Sequence, residues 1–103
     1  MMNPMKKLER KNDIIEVYCT TYGKQYLFWC PGCRCLHSVD ERDDNMRPSW
    51  TFSGTLEAPT FIPSVRYGNP TRCHFYVCNG ELVYMQDCQH RYMGKTVPME
   101  SIE

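Results

Sequence analysis

Apolar and polar positions alternate in short runs along this chain, and a period of two is the signature of strands. Residues 14–19 and 25–29 are rich in β-branched and aromatic side chains, and Gly23 lies between them, so the pair predicts a hairpin. A second hairpin is predicted over 72–87, turned at Asn79-Gly80, the dipeptide best suited to a two-residue type I′ loop. Its register follows from the turn. Cys78 should lie opposite Glu81, Val77 opposite Leu82, Phe75 opposite Tyr84 and Cys73 opposite Gln86, with Cys88 diagonal to Cys73. One face is then apolar with two thiols at its end. The other carries His74, Tyr76, Val83 and Asp87, so Cys73 and His74 are predicted on opposite sides of the sheet.

Elsewhere the pattern is weaker. Residues 36–39 predict a brief strand, and the charges of alternating sign over 40–48 predict an exposed loop. Trp50 and Phe52 flank Thr51 and should both face inward ahead of a turn at Ser53-Gly54. Pro59 and Pro63 argue against a central strand over 58–65 and for an edge or a crossing segment. A last short strand is expected within 92–99, after Gly94. The expected fold class is mainly β, a small antiparallel hairpin domain over 13–100 stapled by a zinc knuckle, with Trp29, Trp50, Phe52, Phe61, Phe75 and Tyr84 in its core. The polar residues 1–12 are expected to form a flexible arm.

Composition supplies the reason for the staple. A chain of 103 residues has a thin core, and seven cysteines are many for that length. The basic N-terminal residues have no apolar run behind them and no stretch reaches membrane-spanning length, which argues for a cytosolic, reducing setting and no membrane. There, clustered cysteines serve metal binding in preference to disulfides. In Cys30-Pro31-Gly32-Cys33 the proline fixes one backbone angle and the glycine permits the return turn, so both sulfurs can face one ion. A tetrahedral Zn2+ site takes four Cys or His ligands. The hairpin register selects Cys73 and Cys88 to join Cys30 and Cys33, with His90 competing for a place.

The same region offers a second chemistry. His37, His74 and His90 with Asp87 would make an open site, a zinc-dependent hydrolase with a carboxylate as base. No His-Glu-x-x-His element or phosphate-cradling glycine loop accompanies them, and Ser38 and the thiols are the only nucleophiles beside a histidine in the sequence. Tyr67, Phe75 and Tyr76 beside Arg66 and Arg72 would suit a nucleic-acid-binding module, but twelve basic and twelve acidic residues cancel, which argues against a nucleic-acid partner.

Several stretches taken in order resemble a family of small domains encoded by tailed bacteriophages and prophages. They are Phe28-Trp29-Cys30-Pro31-Gly32-Cys33 with His37, Trp50-Thr51-Phe52-Ser53-Gly54, Pro59-Thr60-Phe61-Ile62-Pro63-Ser64, Cys73-His74, Asn79-Gly80, Asp87-Cys88-Gln89-His90 and Gly94-Lys95-Thr96-Val97. The name ammonia monooxygenase is sometimes attached to that family without a mechanistic basis, and no facial triad or copper site supports it here. The resemblance covers 28–99 and implies a phage origin and a zinc site, with no established activity. Cys35 and Cys78 stand where that family has other residues, and Ser53 replaces an asparagine. The resulting expectation is a phage-encoded, zinc-stabilised accessory protein of the host cytoplasm. It would act as a protein-interaction module on an unknown host or phage protein, such as a host factor or defence component, through Tyr67, Tyr92, Arg66 and Arg91.

Overall fold

The computed structural model describes residues 6–102. The strands are β1 Lys7–Lys11, β2 Glu16–Thr20, β3 Gly23–Cys30, β4 Cys35–Arg42, β5 Thr51–Gly54, β6 Pro59–Tyr67, β7 Cys73–Cys78, β8 Glu81–Tyr84 and β9 Thr96–Pro98. They form two antiparallel sheets, β1-β2-β3-β4 and β5-β6-β7-β8-β9, each in chain order. The fold is all-β, as expected. Among the described residues no helix is long and apolar enough to cross a membrane.

The core lies between the sheets, built from the inward rows of β2, β3, β4, β6, β7 and β8. Phe28 of β3 packs edge-on against Phe75 of β7 at 5.9 Å between ring centroids, and Tyr26 against Phe61 of β6 at 4.8 Å. Alternation then fixes the rest of β3. Tyr26, Phe28 and Cys30 are buried, so Trp29 takes the opposite face and is only half-buried, which corrects its expected place in the core.

The Asn79-Gly80 hairpin has the expected register: Cys78 faces Glu81, Val77 faces Leu82 and Phe75 faces Tyr84. Both turn residues have positive φ, 50° and 80°, as a type I′ loop requires. β8 stops at Tyr84, before the expected Cys73–Gln86 pair. The expected short strand after Gly94 is β9.

Three segments differ from their sequence patterns, each for a physical reason. β6 is not at an edge, because β5 and β7 pair on its two sides. Its prolines are accommodated because Pro59 is the first residue of the strand and Pro63 sits in an irregular stretch where the β6–β7 register shifts between Phe61 and Val65. β4 runs on through Asp40, Glu41 and Arg42, which the charge pattern assigned to a loop. Tyr hydroxyls of the hairpin satisfy that polar end: Tyr22 donates to Asp40 at 3.0 Å and Tyr26 to Glu41 at 2.7 Å. Lys7–Lys11, from the expected polar arm, pair with β2 as an edge strand whose five residues are all exposed. With no buried side chain it leaves no hydrophobic signal, and its charges suit an edge that must not pair further. Residues 1–5 of that arm lie outside the described residues.

Candidate active site and sulfur cluster

Successive residues of β7 point to opposite faces of the sheet, and the two faces carry different chemistry. Cys73 is fully buried between the sheets while His74 faces outward, as the alternation predicts.

On the outer face, His74 meets a serine and an aspartate. Ser64 Oγ lies 3.0 Å from His74 Nε2, and His74 Nδ1 lies 3.1 Å from each carboxylate oxygen of Asp87. Ser64 reaches this position because of the irregularity in β6. Phe61 pairs with Val77 and Val65 with Phe75, so three residues of β6, Ile62 to Ser64, oppose the single residue Tyr76 of β7. Such bulges re-aim side chains. Trp50 anchors this one, its indole N–H donating to Ser64 O at 3.2 Å. Asp87 comes from the loop after β8, which is tied back to β7 by Met85 N–H on His74 O at 2.8 Å and extended towards Arg72 by Gln89 N–H on Arg72 O at 2.9 Å. The His74 side chain is 22% exposed and that of Asp87 is 52% exposed, so the line of bonds opens to solvent.

On the inner face, the ligand atoms of Cys30, Cys33, His37 and Cys73 all lie within 4.8 Å of one another. Cys30 ends β3, His37 is on β4 opposite Phe28, and Cys73 begins β7, so both sheets contribute. The sulfurs of Cys30 and Cys73 are 3.9 Å apart. The contact with Cys73 holds the Cys30 thiol down at about 3, whereas burial and the neighbouring Cys30 charge push Cys33 up to about 11. Cys73 is pushed up by the same contact and by burial. The Tyr84 hydroxyl lies 3.0 Å from Cys30 Sγ. His37 is stacked on Tyr67 at 4.0 Å, and the Tyr67 hydroxyl is fixed by donating to Ser38 O at 2.7 Å and accepting from Ser38 N–H at 3.0 Å. His37 Nε2 is buried and makes no hydrogen bond of ordinary geometry. This cluster can hold a metal ion.

A second group shares Cys73, with Cys88 and His90 also mutually within 4.8 Å. His90 lies over the knuckle, its ring filling the space that a side chain at Gly32 would need. Tyr92 N–H donates to His90 Nδ1 at 3.2 Å, which leaves the proton of a neutral ring on Nε2, 3.4 Å from Cys73 Sγ. Cys88 Sγ is engaged with the His74 backbone at 3.0 and 3.2 Å. Of the residues singled out in the sequence, Cys30, Cys33 and Cys73 thus converge, and Cys88 and His90 adjoin them. His74 and Asp87 separate from His37 and His90, on the other face of the sheet. Ser38 is held by Tyr67 and faces no histidine bond. Ser64 was missed. The signal for it was pairing: only the β6–β7 register brings residue 64 beside residue 74.

A family model described as bacterial ubiquitination-like system serine protease (BubE) matches residues 3–85. Neither a curated protein nor a solved structure matches the chain. The match includes Ser64, His74 and the Cys30, Cys33, His37, Cys73 cluster, and ends just short of Asp87. It overturns the assignment to a phage zinc-domain family. It also overturns the expected role as an interaction module, because the family is one of serine proteases and the outer face carries a serine, a histidine and an aspartate in line. The chain belongs to the BubE family.

Proposed function

As a member of the BubE family, this chain is proposed here to be a serine hydrolase: we propose that Ser64, His74 and Asp87 cleave an acyl bond of a protein substrate within a bacterial ubiquitination-like system. The observation that carries this reading is the unbroken line from Ser64 Oγ through both ring nitrogens of His74 to Asp87. Asp87 accepts from Nδ1–H, which leaves the Nε2 lone pair facing Ser64. His74 takes the hydroxyl proton as Oγ attacks the carbonyl carbon, then delivers it to the leaving group as the acyl bond breaks. Water, deprotonated by the same nitrogen, releases the acyl group and restores Ser64. Because Asp87 is half exposed, solvent screens its charge, and its main contribution is to hold the ring's tautomer and direction.

The metal reading accompanies this one. Zinc held by Cys30, Cys33, His37 and Cys73 is supported by three thiols and by a buried imidazole nitrogen that makes no hydrogen bond of ordinary geometry. Tyr84 and His90 would donate to the sulfurs of Cys30 and Cys73, the outer-shell bonds that orient such ligands. All four positions of a tetrahedral ion are then filled by protein. The zinc would tie the end of β3 and the start of β4 to β7 and take no part in the acyl transfer.

A fluorophosphonate probe tests the hydrolase. The purified chain should gain one adduct, mapped to Ser64, and Ser64→Ala should lose labelling while keeping its circular dichroism and zinc content. Labelling that persists in Ser64→Ala, or maps to Ser38, overturns the assignment.

A further inference from the structure

Asp87 poses a positioning problem that its neighbour solves. An aspartate that is half exposed, on a loop, is fixed against His74 by its own bonds to the ring and by the loop's backbone ties at Met85 and Gln89. Cys88, the next residue, is 1% exposed. Its thiol donates to His74 O at 3.0 Å and accepts from His74 N–H at 3.2 Å. One sulfur therefore closes on both backbone polar groups of the residue whose ring Asp87 holds. A thiol offers one weak donor and a weak acceptor, and both are used here.

That arrangement separates Cys88 from the sulfurs around it. A zinc-bound thiolate has no proton to give, so ligation by Cys88 would set its charge against the His74 carbonyl at 3.0 Å. Cys30, Cys33 and Cys73 make no such paired contact with a single residue's backbone. We infer that Cys88 is a positioning residue for the triad: its thiol latches the loop after β8 to the His74 backbone, so that residues 87 and 88 grip His74 from its outer and inner sides. The catalytic significance of the latch rests on the serine-hydrolase reading; the latch itself does not. Cysteine suits the place because its S–H can be buried at small cost and still bridge two groups.

The test uses the full-length, zinc-loaded chain and its Cys88→Ala and Cys88→Ser variants, with three readouts. Zinc per chain should be unchanged in both variants, and a loss of metal in both would make Cys88 a ligand and overturn the proposal. Amide exchange of His74, followed by NMR, should accelerate in Cys88→Ala, where the N–H loses its acceptor, and return towards wild type in Cys88→Ser, whose hydroxyl can make the same two bonds. Labelling of Ser64 by the fluorophosphonate should slow in Cys88→Ala by roughly ten- to a hundredfold in the maximal rate, with the half-saturating concentration unchanged and serine restoring most of the loss, as a misplacement of about 1 Å predicts. Wild-type exchange at His74 in Cys88→Ala overturns the latch whatever the labelling does. Faster exchange with wild-type labelling overturns its positioning role. Absence of labelling in the wild type defeats the hydrolase reading, and His74 exchange still decides the latch. If Cys88→Ala fails to fold, the serine variant carries the comparison: retained zinc, protected His74 exchange and labelling near wild type support the proposal, and loss of any one overturns it.

Discussion

Cys73 and His74 are neighbours in sequence and belong to opposite environments. Cys73 lies in a cluster of thiols and an imidazole between two sheets, where its contact with Cys30 pulls the Cys30 thiol down and, together with burial, pushes its own up. His74 lies on an outer face that opens to solvent, bonded to Ser64 and Asp87. The difference teaches that one strand can present, on its two faces, chemistry suited to fixing a metal and, on the serine-hydrolase reading, chemistry suited to reaction. The inner site is held by both sheets and would hold metal in a closed shell. The outer site is held by a bulge, an indole and a loop, and opens to solvent at His74 and Asp87. A change to the inner site should therefore damage both functions, and a change to the outer site only one.

The largest expected effect is the one that breaks this asymmetry from the inside. Cys30→Ser should lose zinc and most of the folded state, since structural zinc contributes on the order of 10 kcal/mol coupled to folding. Metal analysis and thermal melting check it; a stable, zinc-free, fully labelled Cys30→Ser chain would mean that the two faces are independent. Asp87→Asn should lower kcat by about ten-thousandfold with KM and melting temperature near wild type, because the amide favours the wrong His74 tautomer. Steady-state kinetics on a cleavable acyl substrate measure this, and a change confined to KM would remove Asp87 from the triad.

Smaller effects sharpen the boundary. Tyr67→Phe keeps the ring stacked on His37 but removes both bonds to Ser38, so it should cost about 1–2 kcal/mol in urea unfolding while Ser64 labelling stays unchanged. Cys78→Ser should be silent in metal content, stability and labelling. Cys78 is exposed at the far end of β7, and its loss touches neither site.

What was legible in the sequence follows the range of the interactions. Asn79-Gly80 dictates a local turn, and the turn dictates the register that sends Cys73 inward and His74 outward. Cys30-Pro31-Gly32-Cys33 is equally local. Ser64 is not, because nothing beside it in sequence marks it and its partners are ten and more residues away across strand pairings. Pro63 concealed it further, since a proline argues for an edge strand unless a bulge removes the need for its missing N–H. Asp87 and His74 stand out in the sequence as chemistry, but without Ser64 the pattern groups them with His37 and His90, which the sheet places on its other side. His37, on a short strand, carries no local signal of its place, because its ring nitrogen is buried beside three thiols that come together only in the fold.

Both sheets keep their strands in chain order, and that has a consequence for how the protein is made. Every strand pairs with its immediate sequence neighbour, so each sheet can form by short hairpin closures as the chain leaves the ribosome. Cys30, Cys33 and His37 all emerge with the first sheet, before β7 emerges. The nascent first half thus already presents three of four ligands and can capture an ion in passing. Arrival of Cys73 would complete the shell and bring His74 with it, so on the proposed reading the hydrolytic face would be assembled only after the ion is captured.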